Sequence, residues 1–180
     1  PKRVIEVTWL DEVAKWAHTA PLRVSVVSGS RRERELALRR PADLYCMAYD
    51  NLDWLVEHVG DDWPFRTVVA DELTKLKSFR LRQGGKRAGA LGKVAHTEVG
   101  RFIGLTGTPA PNGVKDLWGQ TWFIDKGERL GKTFSAFEQR WFRKGYDGYS
   151  LVPYEHSQSE IMNAISDIYL TVKSLQVDEP

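Results

Sequence analysis

The sequence has one cysteine, no long apolar run and no large excess of either charge, and each shortage excludes something. Cys46 alone cannot close an internal disulfide. Its neighbours Leu44, Tyr45, Met47 and Ala48 mark it as a small buried residue in a reducing, cytoplasmic setting. No stretch is apolar for long enough to span a bilayer, and no secretory signal opens the chain, so no membrane partner is expected. The net charge is +2, which does not by itself call for a polyanionic partner; local clusters must carry that argument. The four histidines, His18, His58, His96 and His156, show no ligand spacing and pair with no acidic cluster. Repeats and low-complexity tracts are absent, which excludes solenoids and tails.

What remains is an ordinary globular composition, 42% apolar and 28% charged in 180 residues, enough for one domain with a substantial core. The seven tryptophans should lie mostly in that core, because large rings dominate burial energetics. Ile5, Trp9, Val13 and Trp16 recur at helical spacing, so residues 2–18 read as an amphipathic helix with both tryptophans buried. A strand over 22–27, a charged helix over 31–40 and a strand over 43–49 follow, with Pro41 as the break. Asp50 and Asn51 read as the cap of a helix over 52–59. Strands over 67–70 and 101–105 flank a basic segment and a glycine-containing helix over 88–99. The basic segment holds Lys75, Lys77, Arg80, Arg82, Lys86 and Arg87 around Gly84-Gly85, with no acid between Lys75 and Arg87. Later segments read as helices over 114–122, 134–142 and 157–168, an irregular Gly- and Tyr-rich loop over 143–156, and a last strand over 169–173. Strands alternating with helices argue for an α/β fold with a mostly parallel central sheet flanked by helices.

Two stretches carry the chemistry. Thr67-Val68-Val69-Ala70 runs as an apolar, β-branched strand into Asp71-Glu72, and Phe102-Ile103-Gly104-Leu105 runs into Thr106-Gly107-Thr108-Pro109. In open α/β sheets ligands bind outside the carboxyl ends of the strands, so the two tips read as one site. A strand ending in Asp-Glu suits nucleotide hydrolysis. Mg²⁺ takes one carboxylate and keeps several waters, which is the role for Asp71, and Glu72 is placed to polarise a water. Gly107 permits a tight turn, and the hydroxyls of Thr106 and Thr108 suit hydrogen bonds to the acidic pair or to water between them. The structural alternatives are Asp71-Glu72 as a helix cap and a strand-to-helix turn capped by Thr108 or Asn112.

Val-Val-Ala-Asp-Glu-Leu-Thr-Lys-Leu-Lys-Ser, followed about thirty residues later by Gly-Leu-Thr-Gly-Thr-Pro-Ala-Pro-Asn-Gly and then Asp-Leu-Trp-Gly-Gln, resembles the first motor lobe of Swi/Snf-type ATPases. These are superfamily-two helicase-like proteins, and the phage and prophage branch is the nearest in character. The first stretch is similar to that family's Walker B motif, motif II, and the second to its motif III. Residues 1–16 resemble motif Ia and the helix after it, Tyr49-Asp50-Asn51-Leu52 resembles motif Ib, and Leu130-Gly131-Lys132-Thr133 with Phe137 and Trp141-Phe142 resembles the segment past motif III. The resemblance implies a RecA-like three-layer lobe that couples ATP hydrolysis to movement on double-stranded DNA in a bacterial or phage-infected cytoplasm. It implies Asp71 for Mg²⁺, Glu72 for water activation, and Thr106, Gly107 and Thr108 for coupling nucleotide state to DNA. Arg3, Tyr49 and Asn51 match the family's DNA path, and Lys75 and Lys77 just past motif II are further candidates; the alternative for the lysines is a solvated loop.

One departure qualifies the resemblance. No Gly-x-x-x-x-Gly-Lys-Ser/Thr occurs in the chain, and the stretch from Gly127 to Thr133 has one residue too few between its glycines and no strand leading into it. Residues 1–175 are therefore expected to be a partial first lobe without its Walker A segment, and 176–180 the start of a linker to a second lobe in cis. ATP and Mg²⁺ are expected as cofactors of the complete protein and not of this piece alone. The other functional class is a degenerate lobe that binds DNA or a protein without chemistry. A third, an unrelated α/β enzyme using Asp71, lacks a partnering histidine or second acidic cluster.

Overall fold

A computed structural model describes residues 4–81 and 85–172. Expectations that fall on Lys2, Arg3, Arg82, Gly84 and residues 173–180 lie outside the described residues. The chain divides into two compact units, residues 1–60 and 61–180.

In the first unit a π-helical turn, Val4–Thr8, runs into α1, Trp9–Lys15. Strands β1, Val24–Val27, and β2, Leu44–Met47, pair in parallel from Val24 opposite Leu44 to Val27 opposite Met47. Parallel partners need a crossover, and helix α2, Arg31–Arg39, supplies it. Its start is fixed by a capping box: Ser30 accepts from the Glu33 amide, and the Glu33 carboxylate accepts from the Ser30 amide at 2.7 Å. The Ser25 hydroxyl donates to the Ala37 carbonyl at 2.7 Å, tying β1 to α2. A 3-10 turn, Tyr49–Asn51, leads into α3, Leu52–Val59, with Leu52 and Leu55 buried. Asn51 makes no side-chain cap there. Ile5, Val13, Val27, Ala37 and Cys46 are also buried, and burial pushes the Cys46 thiol pKa up.

The expected burial of both N-terminal tryptophans is corrected. Trp9 is half-buried and Trp16 is 51% exposed. Helix α1 stops at Lys15, so Trp16 adopts an extended backbone (φ −105°, ψ 129°) and leaves the apolar stripe. Its indole N–H donates to the Glu12 carboxylate at 3.2 Å instead.

The second unit holds β3, Thr67–Asp71, a 3-10 turn, Leu73–Leu76, and α4, Lys86–Val94. Strand β4, Arg101–Leu105, pairs with β3 in parallel, Thr67 opposite Arg101 through Asp71 opposite Leu105. A second 3-10 turn, Val114–Asp116, opens α5, Leu117–Asp125, and α6, Phe134–Trp141, follows. Helix α5 is buried at nearly every position, as a helix apolar all round must be. Phe79 lies 4.4 Å from Trp122 and 4.8 Å from Phe123 between ring centroids, and Phe137 lies 5.2 Å from Trp141. Here the tryptophans do build the core, with Trp118 and Trp141 almost fully buried. The last helix is α7, Ser157–Ile165, with Ile161 and Ile165 buried.

The fold is α/β, as expected, and its parallel pairing resides in two separate two-stranded pairs. Two local expectations change. Residues 143–156 are not wholly irregular: β5, Phe142–Lys144, and β6, Leu151–Pro153, form an antiparallel hairpin too short to show alternation. Residues 169–172 form no strand; Leu170 and Val172 are exposed, so their β-favouring side chains have no neighbour to pack on.

Two glycines mark close approaches. A Cβ on Gly119 of α5 would sit 2.7 Å from the Lys77 carbonyl, and one on Gly104 of β4 would sit 2.3 Å from the Leu73 Cδ2. The first obstacle is backbone and the second the end of a side chain. Gly119→Ala should therefore lower the melting temperature more than Gly104→Ala, with overpacking of about 1–3 kcal/mol at Gly119. Equal melting temperatures for the two variants would contradict this packing.

His96 gives a pH handle. Its Nε2 lies 2.7 Å from the Trp122 carbonyl, and burial pushes its pKa below the ordinary 6.5, against a smaller opposing effect of that hydrogen bond. The folded state thus disfavours the imidazolium relative to the unfolded chain. His96 contributes stability that is complete above the unfolded pKa and lost as pH falls through the folded one. Thermal unfolding at pH 7 and pH 5 should show a drop that His96→Gln reduces; an unchanged drop in that variant would refute the assignment.

Candidate functional site

Because β3 and β4 run parallel in register, their carboxyl ends lie side by side. Asp71 is opposite Leu105, one residue before Thr106. The sequence-predicted acidic tip and the Thr106-Gly107-Thr108 loop are therefore neighbours. Asp71 is half-buried and Glu72 exposed. Among the described residues neither carboxylate has a hydrogen-bond or ion-pair partner, so neither is used to hold the fold. Glu72 precedes the 3-10 turn but makes no side-chain cap, which removes the cap alternative. Its backbone is left-handed (φ 58°, ψ 56°), a conformation that disfavours a side chain and gathers at functional turns.

The hydroxyl loop is organised locally. The Thr108 amide donates to Thr106 Oγ1 at 3.3 Å, and among the described residues neither threonine bonds Asp71 or Glu72. Neither Thr108 nor Asn112 caps the following helical turn, whose N-cap is Gly113 without a side-chain bond. Gly107 needs no left-handed backbone, so the tight-turn reason for it is corrected; a Cβ there would meet open space, leaving free approach to its backbone.

Asp116 and Gln120, which entered the sequence reading only as part of a resemblance, form a framework under this loop. Asp116, at 7% exposure, accepts from the Asn112 amide at 3.1 Å and from Lys77 Nζ at 3.3 Å. Gln120, fully buried one turn on, donates its amide to the Pro109 carbonyl at 2.6 Å and to the Asp116 carbonyl at 2.9 Å. The loop's far end is thus bound to α5, and Asp116 also reaches the segment just past the acidic tip. The available signal was two polar residues four apart entering an otherwise apolar helix. Arg80, just past the 3-10 turn, donates to the Phe79 carbonyl at 2.5 Å with its guanidinium 3.4 Å over the Phe134 ring. Burial pushes its pKa down.

The remaining candidates fall as follows. Lys75 is exposed on the 3-10 turn, and the Lys77 ammonium is engaged by Asp116. Tyr49 and Asn51 belong to the first unit, where the Asn51 side-chain oxygen accepts from Arg34, whose guanidinium lies 4.3 Å over Trp54. Arg3 lies outside the described residues. The stretch from Gly127 to Thr133 is closed on itself. Asp125 accepts from the Gly127 amide at 2.8 Å and the Arg129 amide at 3.0 Å, and Thr133 caps α6. Those amides are not free to cradle a phosphate.

Among the described residues no cluster of three or more His, Cys, Asp or Glu could hold a metal by itself. The Asp71 carboxylate, unpartnered among the described residues, is the kind of single oxygen donor that a hard cation arriving with phosphate and water ligands takes. No phosphate cradle is present among the described residues. No described helix is long and apolar enough to cross a membrane.

Parallel strands whose tips bring an unspent acidic pair beside a hydroxyl-bearing loop define the class of RecA-like, helicase-like lobes. Residues 1–170 match the model of the SNF2-related domain, and the chain belongs to that family. It is 47% identical over 188 aligned positions to putative protein p41 of Acyrthosiphon pisum secondary endosymbiont phage 1, covering all of this chain and 41% of that protein. This agrees with the phage branch expected from the motifs. It is 32% identical over 137 positions to the mouse DNA excision repair protein ERCC-6-like, covering 71% of this chain and 10% of that protein, and 31% identical to its human counterpart over the same shares. The chain thus spans less than half the length of these relatives.

The Asp116 bridge is testable in the chain itself. Hydrogen exchange at the Asn112 amide should accelerate roughly 10–100-fold in Asp116→Ala, as a lost bond to a charged acceptor implies, and less in Lys77→Met. The double variant should exchange no faster than Asp116→Ala alone. Unchanged exchange at Asn112 in Asp116→Ala would rule the bridge out.

Proposed function

We propose that this chain is the first-lobe portion of an ATP-driven translocase or helicase acting on double-stranded DNA, completed by a second RecA-like lobe in cis. The observation that carries the reading is the acidic pair: two carboxylates at a strand tip, unused by the fold, one on a left-handed backbone, beside a loop tied down from behind. The family membership and the similarity to DNA excision repair proteins support it.

Asp71 would hold Mg²⁺ on the triphosphate, and Glu72 would orient and deprotonate the attacking water. Bound ATP–Mg²⁺ supplies the transferable phosphoryl group and its charge neutralisation. Thr106, Gly107 and Thr108, as motif III, relay occupancy of that site to the DNA-contacting surface. Tyr49, Asn51 and Arg3 are the proposed DNA contacts of motifs Ib and Ia. Lys75 and Lys77 are further proposed DNA contacts, and Asp116 holds the Lys77 ammonium from within the chain. A cytoplasmic setting goes with this reading. The 180 residues alone, without a lysine-bearing phosphate loop among them, should not hydrolyse ATP.

Phosphate release by the two-lobed protein on duplex DNA tests this. Asp71→Ala and Glu72→Gln should each reduce it by about 10²–10⁴-fold, the usual worth of a positioned acid or base. Glu72→Gln should leave the melting temperature of the 180-residue chain nearly unchanged, because the side chain bonds nothing among the described residues. Wild-type phosphate release in Glu72→Gln would overturn the role given to Glu72, and duplex binding with no phosphate release even by the unaltered two-lobed protein would favour the other reading, a lobe that binds DNA or a protein without chemistry.

A further inference from the structure

The hairpin of β5 and β6 has no part in the site described above, and its chemistry is distinctive. Its base is rigid. Phe142 and Trp141 are buried, the Ser157 hydroxyl donates to the Trp141 carbonyl at 2.6 Å, and the Tyr154 amide donates to the same carbonyl at 3.1 Å. Its tip is rigid too. Asp147 accepts from the Tyr149 amide at 3.0 Å and from the amide and hydroxyl of Ser150, both at 2.8 Å. The Gly145 amide donates to the Ser150 carbonyl at 2.9 Å, closing the turn. Yet the ordered tip points two large rings at solvent: Tyr146 and Tyr149 are fully exposed. Arg143 and Lys144, on the strand leading to them, are exposed and have no acidic partner among the described residues. The one carboxylate at the tip is consumed by the turn.

Ordering a loop this way has a conformational cost, and it leaves each ring's apolar area in water. A partner that covers the rings recovers that area. The charge decides what kind of partner. Two unpaired cations and two bare rings with no free acid between them match phosphates alternating with flat bases. Cationic grooves with aromatic platforms hold unpaired strands in this manner. An acidic protein surface would satisfy the cations but offer nothing flat to stack on the rings.

We infer that the 142–153 hairpin is a contact site for a nucleic-acid strand with unstacked bases, Tyr146 and Tyr149 stacking on bases while Arg143 and Lys144 meet the phosphates. This rests on the reading of the chain as part of a DNA-acting motor. It adds a surface that none of the motif residues supplies, and a preference for unpaired over paired bases.

The test is equilibrium binding of the 180-residue chain to a fluorescent 20-nucleotide oligothymidine and to a 20-base-pair duplex, across a salt series. Tyr146→Ala and Tyr149→Ala should each weaken oligothymidine binding by roughly 5–150-fold, the usual worth of one base–aromatic stack, and weaken duplex binding much less. Phe in either place should retain most of the affinity, since the ring and not the hydroxyl makes the contact. Arg143→Ala with Lys144→Ala should reduce the slope of log affinity against log salt by about 1.4, two phosphates on a single strand. These residues lie on an exposed turn, and circular dichroism of each variant verifies the fold. If the wild type binds duplex and oligothymidine but the alanine variants bind as well as wild type, the hairpin inference fails and the motor reading stands. If the wild type binds neither probe, the hairpin inference fails, while the motor reading is decided by phosphate release from the two-lobed protein.

Discussion

The parallel pairing of β3 with β4 is the constraint on which the candidate site depends. In an antiparallel pair the acidic tip and the hydroxyl loop would leave from opposite ends. In the observed register Asp71 stands beside Leu105, and the two loops start from neighbouring positions. Parallel strands need a long connection, and the chain supplies it with the 3-10 turn and α4. The connection is packed tightly where it leaves the site. Leu73 occupies the space that Gly104 leaves open, and the Lys77 carbonyl comes against Gly119. Side chains at either glycine would push the turn away from the strand ends.

The second element is a buried carboxylate doing a structural task. Asp116 is taken from water, and ion pairs of this kind recover their desolvation cost only when every lone pair is used well. Here the carboxylate has a cation from one motif and a backbone amide from the other. Its effect is geometric: it fixes the distance between the segment after Asp71-Glu72 and the far end of the Thr106–Asn112 loop. Gln120 adds a second tie through the Pro109 carbonyl. The contrast with the acidic tip is physical. Asp116 is spent on the fold, whereas Asp71 and Glu72 have no partner among the described residues.

Much of this was legible in the chain. The strand Arg101–Leu105 and the helix Leu52–Val59 fall where the apolar pattern put them. The acidic tip and the threonine loop were legible as one site because two apolar runs ended in polar turns and parallel topology puts such ends together. What was not legible is long-range or marginal. No local pattern shows that Lys77 meets a carboxylate 39 residues away, so it read as a DNA-contact candidate or, failing that, part of a solvated loop. Trp16 matched a helical period that stopped one residue earlier. The β5–β6 hairpin has three residues per strand, too few for alternation to register. Residues 169–172 carry strand-like composition without a strand to pair with, and pairing, not composition, makes a strand.

The adjacency of the acidic tip and the hydroxyl loop is measured most directly by nuclear Overhauser effects on the isotopically labelled 180-residue chain. Cross-strand contacts from the backbone protons of Asp71 to those of Leu105 and Thr106, with the matching series back to Thr67 and Arg101, are the predicted result. Contacts from Asp71 to Arg101 in their place, the signature of antiparallel pairing, would send the two tips to opposite ends and contradict a shared site.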